Sequence, residues 1–177
     1  GFQTYVPRCM CGFGGESKRP PARDHIEFLS YSRQAENRFP HSARVANAPA
    51  AISAVQYIDD TPILEDAARL SELGGEFSET FMTAPSPGII ATTMLNQHYE
   101  SHEAYLMALA SALSREYRAI HEAGHVLQID SPDLAMERHR FFDDLDDNAF
   151  LKQMELHIAA INTAIAGIPR DRVRLHV

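Results

Sequence analysis

The sequence predicts an α/β fold in which parallel strands alternate with helices. After residue 50, short apolar runs rich in β-branched residues alternate with longer segments whose apolar residues recur at helical spacing. The runs are almost continuously hydrophobic, which is typical of parallel strands covered by helices on both faces. A barrel and a doubly wound sheet would both fit this order. No glycine-rich phosphate-binding turn follows a predicted strand, which disfavours nucleotide binding.

The first fifty residues are predicted to be mostly irregular. Residues 12–24 (GFGGESKRPPARD) contain three glycines and two adjacent prolines and read as a loop. Asp24 is a candidate N-cap for a short amphipathic helix over residues 24–39. Residues 40–51 are again expected to form a loop.

The remainder, residues 51–177, is predicted to consist of regular strand and helix units within one domain that spans residues 1–177. Glycines, prolines and N-capping serines mark most boundaries between these units. The predicted strands cover residues 52–59, 79–85, 126–130 and 172–177, and the predicted helices cover residues 60–75, 101–124 and 147–169.

Polar residues stand at or near the ends of three predicted strands. These ends are Thr83-Ala84-Pro85, Gln128-Ile129-Asp130 and Leu175-His176-Val177. In parallel α/β folds the chemistry collects at the carboxyl ends of the strands. The three ends are therefore the first place to expect a functional site.

The segment HEAGH, residues 121–125, matches the zinc-binding motif of many metallopeptidases. In those enzymes both histidines lie on one continuous helix and face the same metal ion. Here Gly124 falls where the preceding helix is expected to end, and the apolar run 126–130 predicts a strand. We therefore expect that His121 and His125 do not share a metal.

Composition excludes several classes of function. The chain has 177 residues, of which 45% are hydrophobic and 23% charged, as in ordinary globular proteins. A net charge of -8 argues against nucleic acid as a partner, because phosphate contacts need clustered Lys and Arg. No apolar run reaches the length of a bilayer span, and no leader-peptide pattern opens the chain. The sequence therefore predicts a cytoplasmic protein without a membrane partner, and leaves association into a homo-oligomer open.

Cys9 and Cys11 are the only cysteines. A disulfide between cysteines separated by one residue would be strained. Both are expected to be reduced.

Three stretches carry a resemblance to a known family: FMTAPSPGIIATTM (81–94), EYRAIHEAGHVLQIDSPDLAMERH (116–139) and IAGIPRDRVRLHV (165–177). They resemble the cobalamin-independent methionine synthases, in the short single-barrel branch that includes the epoxyalkane:coenzyme M transferases. The resemblance implies a TIM-type (β/α) barrel, present here as a partial barrel. It also implies a methyltransferase or alkyltransferase of methionine biosynthesis, in which zinc deprotonates and activates a small-molecule thiol that then attacks a methyl or alkyl donor.

The resemblance also implies roles for individual residues. His176 matches the first zinc ligand of the family's His-x-Cys strand end. Asp130 matches the aspartate that contacts the amino group of homocysteine, and Glu16 matches the glutamate that shares this contact. Asp133 and Ser86 are further candidates for substrate binding, although Asp133 could instead cap a helical turn and Ser86 could shape the loop between its two prolines.

Departures from the family pattern sharpen these expectations. The second zinc ligand would follow Val177, so the chain is expected to be a segment of a longer protein whose next codon specifies cysteine. Alone, it is expected to bind zinc weakly and to fold poorly. The family's acidic pterin contact falls on Met136, with Glu137 expected to face elsewhere, which puts a folate donor in doubt. An HExxH zinc metallopeptidase and a non-catalytic fragment remain as alternative functions.

Overall fold

The structure, a computed structural model, describes residues 2–38 and 48–177. Within these residues the chain forms helices and strands in a mixed α/β arrangement. The helices are α1 (Phe2–Tyr5), α2 (Arg23–Glu27), α3 (Leu29–Arg38), α4 (Thr61–Leu73), α5 (Pro87–Thr93), α6 (His102–Glu122), α7 (Asp133–Met136) and α8 (Asp147–Ala164). The strands are β1 (Met10–Gly14), β2 (Ala50–Tyr57), β3 (Phe81–Pro85), β4 (Val126–Asp130) and β5 (Val173–His176).

Strands β3, β4 and β5 form a three-stranded parallel sheet in that order. Helix α6 connects the first pair of strands, and α8 connects the second pair. The predicted alternation of parallel strands and covering helices is therefore confirmed for residues 79–177. The strand predicted at 126–130 has the same bounds as β4.

The predicted parallel pairing is wrong for β2, which pairs with β1 in an antiparallel ladder. Strand β1 itself lies in the region predicted to be irregular. Its glycines allow this pairing: Gly12 has φ of +97°, and a Cβ there would come within 2.6 Å of the Ala54 carbonyl oxygen. The ladder shifts register between Cys11 and Phe13, as expected for a glycine-containing bulge.

The helix predicted from Asp24 is divided in two. Phe28 separates α2 from α3 with φ of -115° and ψ of 74°, values outside the helical region. The apolar residues Ile26, Phe28 and Leu29 are exposed, so they do not form the buried stripe that an amphipathic helix would have. Residues 40–47 of the next predicted loop lie outside the described residues.

Helix α6 is the centre of the core. It carries six fully buried large side chains: Tyr105, Leu106, Leu109, Leu113, Tyr117 and Ile120. The hydroxyl of Tyr117 donates to the carbonyl oxygen of Pro85 at 2.6 Å, which ties the middle of the core to the end of β3. Burial of these side chains from water stabilises the packing of α6 against α8, β2 and the parallel sheet.

Helix α5 was not predicted. All seven of its residues are buried, and Ser86 caps it by accepting a hydrogen bond from the Ile89 amide at 2.9 Å. The surrounding Pro-Ser-Pro sequence indicates a loop, but a proline at the first helical position is compatible with a helix. The chain therefore turns directly from β3 into a buried helix.

Both cysteines are free, as expected. Within residues 2–38 and 48–177, no helix is both long and apolar enough to cross a bilayer.

Candidate functional site

The carboxyl ends of the three parallel strands lie side by side. Pro85 is in register with Asp130, and Asp130 is in register with His176. Two hydrogen bonds extend this alignment: the Ser86 amide donates to the Asp130 carbonyl oxygen at 3.0 Å, and the Ser131 amide donates to the His176 carbonyl oxygen at 2.8 Å. The sheet thus brings the predicted strand-end residues together at one edge.

Asp130 and His176 form a direct pair. Nδ1 of His176 bonds Oδ1 of Asp130. The two side chains differ in exposure, with 14% of Asp130 and 67% of His176 accessible to solvent. The pair therefore lies at the rim formed by the carboxyl ends of the strands, with a mostly buried carboxylate and a largely exposed imidazole.

Asp133 and Ser86 lie beneath this rim. Both are fully buried, and the Ser86 hydroxyl donates to Oδ1 of Asp133 at 2.6 Å. Asp133 also accepts from the Ser131 hydroxyl at 3.0 Å and pairs with Nδ1 of His157 at 2.7 Å. These contacts hold both side chains in the protein interior below the strand ends, and neither side chain is exposed to solvent.

Glu16 lies just beyond β1 and is exposed. Its carbonyl oxygen accepts a hydrogen bond from the Gln97 side chain at 3.5 Å. The expected closeness of Glu16 to Asp130 stays a prediction.

The HEAGH histidines are separated by the end of the helix, as predicted. Helix α6 ends at Glu122, Gly124 adopts φ of +88°, and β4 begins at Val126. His125 is buried, with Nδ1 2.7 Å from the Thr80 hydroxyl and Nε2 3.0 Å from the Ala67 carbonyl oxygen. Its nitrogens are thus engaged in the protein interior, and the described geometry does not support the metallopeptidase alternative.

Glu137 forms a buried ion pair next to the exposed Met136. Met136 is exposed, whereas Glu137 is buried and paired with Arg19, whose side chain is 6% exposed. Burial raises the pKa of Glu137, and the positive charges of Arg19 and Arg140 oppose that rise. Arg19 comes from the loop after β1, so this ion pair fastens that loop to the turn after α7.

Two further polar residues near the site were not predicted as site residues. His157 is fully buried, and both of its ring nitrogens have hydrogen-bond partners. Its Nε2 lies 2.9 Å from Nε2 of His102, at the start of α6. No local motif connects His102, Asp133 and His157, so sequence spacing alone could not have assembled them.

A catalytic zinc ion normally takes three protein ligands and keeps one open position. Among the residues that the structure describes, no three His, Cys, Asp or Glu side chains converge in a way that could hold a metal. His176 is the one predicted ligand, and its pairing with Asp130 through Nδ1 is the arrangement in which a carboxylate orients a ligating histidine. The described residues therefore supply one candidate ligand and its orienting partner, and they do not complete a zinc site.

Fold and site together define an α/β protein with a parallel sheet whose polar side chains collect at the carboxyl ends of its strands. No family model matches the sequence. No curated protein matches it either.

Among solved structures, the chain is similar to a B12-independent methionine synthase from Shewanella sp. W3-18-1, determined in complex with selenomethionine. The TM-score is 0.68 at 20% sequence identity, and the match covers 99% of this chain. The chain spans 42% of the length of that protein. At this identity the likeness shows a common fold, and it agrees with the family resemblance drawn from the sequence motifs.

Proposed function

We propose that the chain contributes to a zinc-dependent transfer of a methyl or alkyl group to a thiol such as homocysteine. The observation that carries the proposal is the Asp130–His176 pair at the aligned ends of β4 and β5. It belongs to a chain whose fold is similar to that of a methionine synthase. We further propose that the three-stranded parallel sheet is part of a TIM-type barrel.

Asp130 is proposed to bind the amino group of the substrate. Its Oδ1 is engaged by His176, and its side chain keeps 14% exposure at the rim. Among the hydrogen bonds of residues 2–38 and 48–177, none involves the second carboxylate oxygen. A partly buried carboxylate forms a strong charge-assisted hydrogen bond with an ammonium group. Glu16 is proposed to share this contact.

His176 is proposed as a zinc ligand through Nε2, since Nδ1 is held by Asp130. Zinc, when bound, would convert the substrate thiol to a reactive thiolate near neutral pH. Among the described residues, no further side chains converge with His176 to complete a metal site. The part played by the described residues is to orient the histidine and the amino group.

The carboxylates also bear on which thiol is used. An amino thiol such as homocysteine presents a positive charge to Asp130, whereas coenzyme M presents a sulfonate. Two anions at the same rim repel each other. We therefore propose homocysteine over coenzyme M, and we place the protein in the cytoplasm as a methyltransferase of methionine biosynthesis.

The experiment is calorimetric titration of the protein with homocysteine and with coenzyme M. Asp130→Asn keeps an oxygen that can accept from His176 but removes the charge, so it tests the amino contact. Loss of one charge-assisted hydrogen bond is expected to weaken homocysteine binding by about tenfold or more. Asp171→Asn is the matched control, because Asp171 is exposed and precedes β5 at its other end.

Unchanged homocysteine affinity in Asp130→Asn would remove Asp130 from the substrate site. Equal or tighter binding of coenzyme M would reverse the choice of thiol. His176→Ala, followed by zinc titration against a chelator, tests the metal assignment separately: the variant is expected to bind zinc more weakly than the parent protein.

A further inference from the structure

A buried chain of polar groups runs from the strand ends to the start of α6. Oδ1 of Asp133 accepts from the hydroxyls of Ser86 and Ser131, and Oδ2 lies 2.7 Å from Nδ1 of His157. Nε2 of His157 then lies 2.9 Å from Nε2 of His102. Asp133 and His157 have no solvent exposure in their side chains. These hydrogen-bonded polar groups thus link α7, α8 and α6 inside the protein.

The donors and acceptors in this chain can be assigned. Asp133 receives two hydroxyl donors and one ring nitrogen, which suits an ionised carboxylate that only accepts. Nδ1 of His157 must then carry a hydrogen. One of the two facing Nε2 atoms must carry a hydrogen and the other must accept it. Hydrogens on both atoms would clash, and without a hydrogen two lone pairs would face each other. His102, ringed by Phe141 and Phe142, supplies the outer end of the chain.

Helix α5 packs closely against the Asp133–His157 pair. Gly88 in α5 lies so close that a Cβ there would overlap both Oδ2 of Asp133 and Nδ1 of His157. The Ser86 hydroxyl, which caps α5, bonds the same carboxylate. This close approach restricts both partners, because Gly88 of helix α5 packs directly against the two atoms that form their hydrogen bond.

The fixed carboxylate acts on the strand ends through two serines. Ser86 follows β3 and its amide bonds the carbonyl oxygen of Asp130, while Ser131 follows β4 and its amide bonds the carbonyl oxygen of His176. Both serine hydroxyls converge on Oδ1 of Asp133. One buried carboxylate therefore holds the turns whose amides align β3, β4 and β5.

We propose that His157, supported by His102, is a positioning residue that fixes Asp133 and thereby holds Asp130 and His176 in their relative places. This rests on the proposed function only where it concerns substrate binding. His157 has no part at the rim, since it lies one layer below the exposed pair. Its effect is transmitted through Asp133 and the two serines.

Amide hydrogen exchange of the whole protein tests the positioning. The reporters are the amides of Ser86 and Ser131 at the carboxyl end of the sheet, and the internal control is the Val126 amide, which bonds the Thr80 carbonyl oxygen at the opposite end. His157→Leu removes both hydrogen bonds of the ring. His157→Asn places an amide nitrogen close to the position of Nδ1 and can still donate to Asp133.

In His157→Leu, exchange at Ser86 and Ser131 is expected to accelerate by about tenfold relative to Val126, because the buried carboxylate loses a donor. In His157→Asn the two reporters should stay within about threefold of the parent protein. Met154→Ala is the matched control, because Met154 is also buried on α8 but belongs to the apolar core. It should move all three amides together.

Acceleration of all three amides alike in His157→Leu, as in Met154→Ala, would overturn the proposal and leave His157 an ordinary core residue. Homocysteine titration of the same variants gives the second reading: affinity should fall in His157→Leu and recover in His157→Asn. If exchange changes as expected but affinity does not fall, the positioning of the substrate site is refuted. If the parent protein itself does not bind homocysteine, the proposed function fails while the exchange result still decides the role of His157.

Discussion

The buried carboxyl of Glu116 gives a pH dependence of stability that can be worked out in advance. Glu116 lies on α6 with 4% of its surface exposed, and its Oε2 accepts from the hydroxyl of Tyr57 on β2. Burial is the main cause that raises its pKa, from 4.5 to about 6, while the Tyr57 hydrogen bond works in the opposite direction. The folded state therefore holds this proton more tightly than the unfolded chain does.

The direction of this pH dependence follows from the difference between the folded-state and unfolded-state pKa of Glu116. Below pH 4.5 the carboxyl is protonated in both states and costs nothing. As pH rises through about 6, the folded state must accept a buried negative charge, so stability falls. A rise of about 1.5 in pKa, at about 1.4 kcal/mol for each unit of pKa, amounts to about 2 kcal/mol lost by pH 7.

Glu116→Gln removes the titration and keeps an oxygen that can accept from Tyr57. The measurement is urea unfolding followed by circular dichroism at several pH values, for the parent protein and the variant. The free energy of unfolding of Glu116→Gln minus that of the parent protein should increase by about 2 kcal/mol between pH 4.5 and pH 7. Glu122→Gln, an exposed position on the same helix, should give a flat difference. A flat difference for Glu116→Gln as well would refute the reasoning.

Three further predictions concern single features of the fold. Burial, and secondarily His157, lowers the pKa of His102 from 6.5 to about 4, so the contribution of His102 to stability should fall by about 3 kcal/mol as pH drops from 6.5 towards 4, and the free energy of unfolding of His102→Gln minus that of the parent protein should rise by this amount in urea unfolding. Arg19→Met leaves Glu137 buried without its partner and should destabilise by about 3 kcal/mol, and adding Glu137→Leu should restore much of the loss in urea unfolding, whereas no recovery in the double variant would contradict the ion-pair account. Gly124→Ala should cost about 1 kcal/mol from its positive φ alone, because a Cβ there meets nothing within 4 Å; Gly75→Ala, equally open and without a positive φ, is the control, and equal costs at both positions would contradict the strain argument.

The parts of the fold that the sequence could predict are those governed by local patterns. Gly124 and the apolar run after it were sufficient to place the end of α6 and the bounds of β4. The alignment of Asp130 with His176 followed from the rule that parallel strands end at one edge. These features depend on residues close together in the chain, or on a general property of parallel sheets.

The parts that escaped prediction depend on contacts between distant residues. Strand β1 is rich in glycine and reads as a turn, and only its pairing with β2, about forty residues later, makes it a strand. Asp133 carries the local pattern of a helix N-terminus, which cannot show that its side chain is buried against His157, 24 positions away. Depth below the surface is a tertiary property, so a residue can be placed at the right end of a strand and still be assigned to the wrong layer.

The tight fit at Gly88 has a consequence for how this protein can change over evolutionary time. The residue at position 88 has to remain glycine for as long as positions 133 and 157 remain an acid and a histidine in contact, since a methyl group would occupy their space. A substitution at any one of the three positions therefore alters which residues the other two positions can tolerate. Among related chains of this fold, position 88 should carry a side chain only where the pair at 133 and 157 has been replaced by smaller or apolar residues. The three positions are expected to be inherited as one unit.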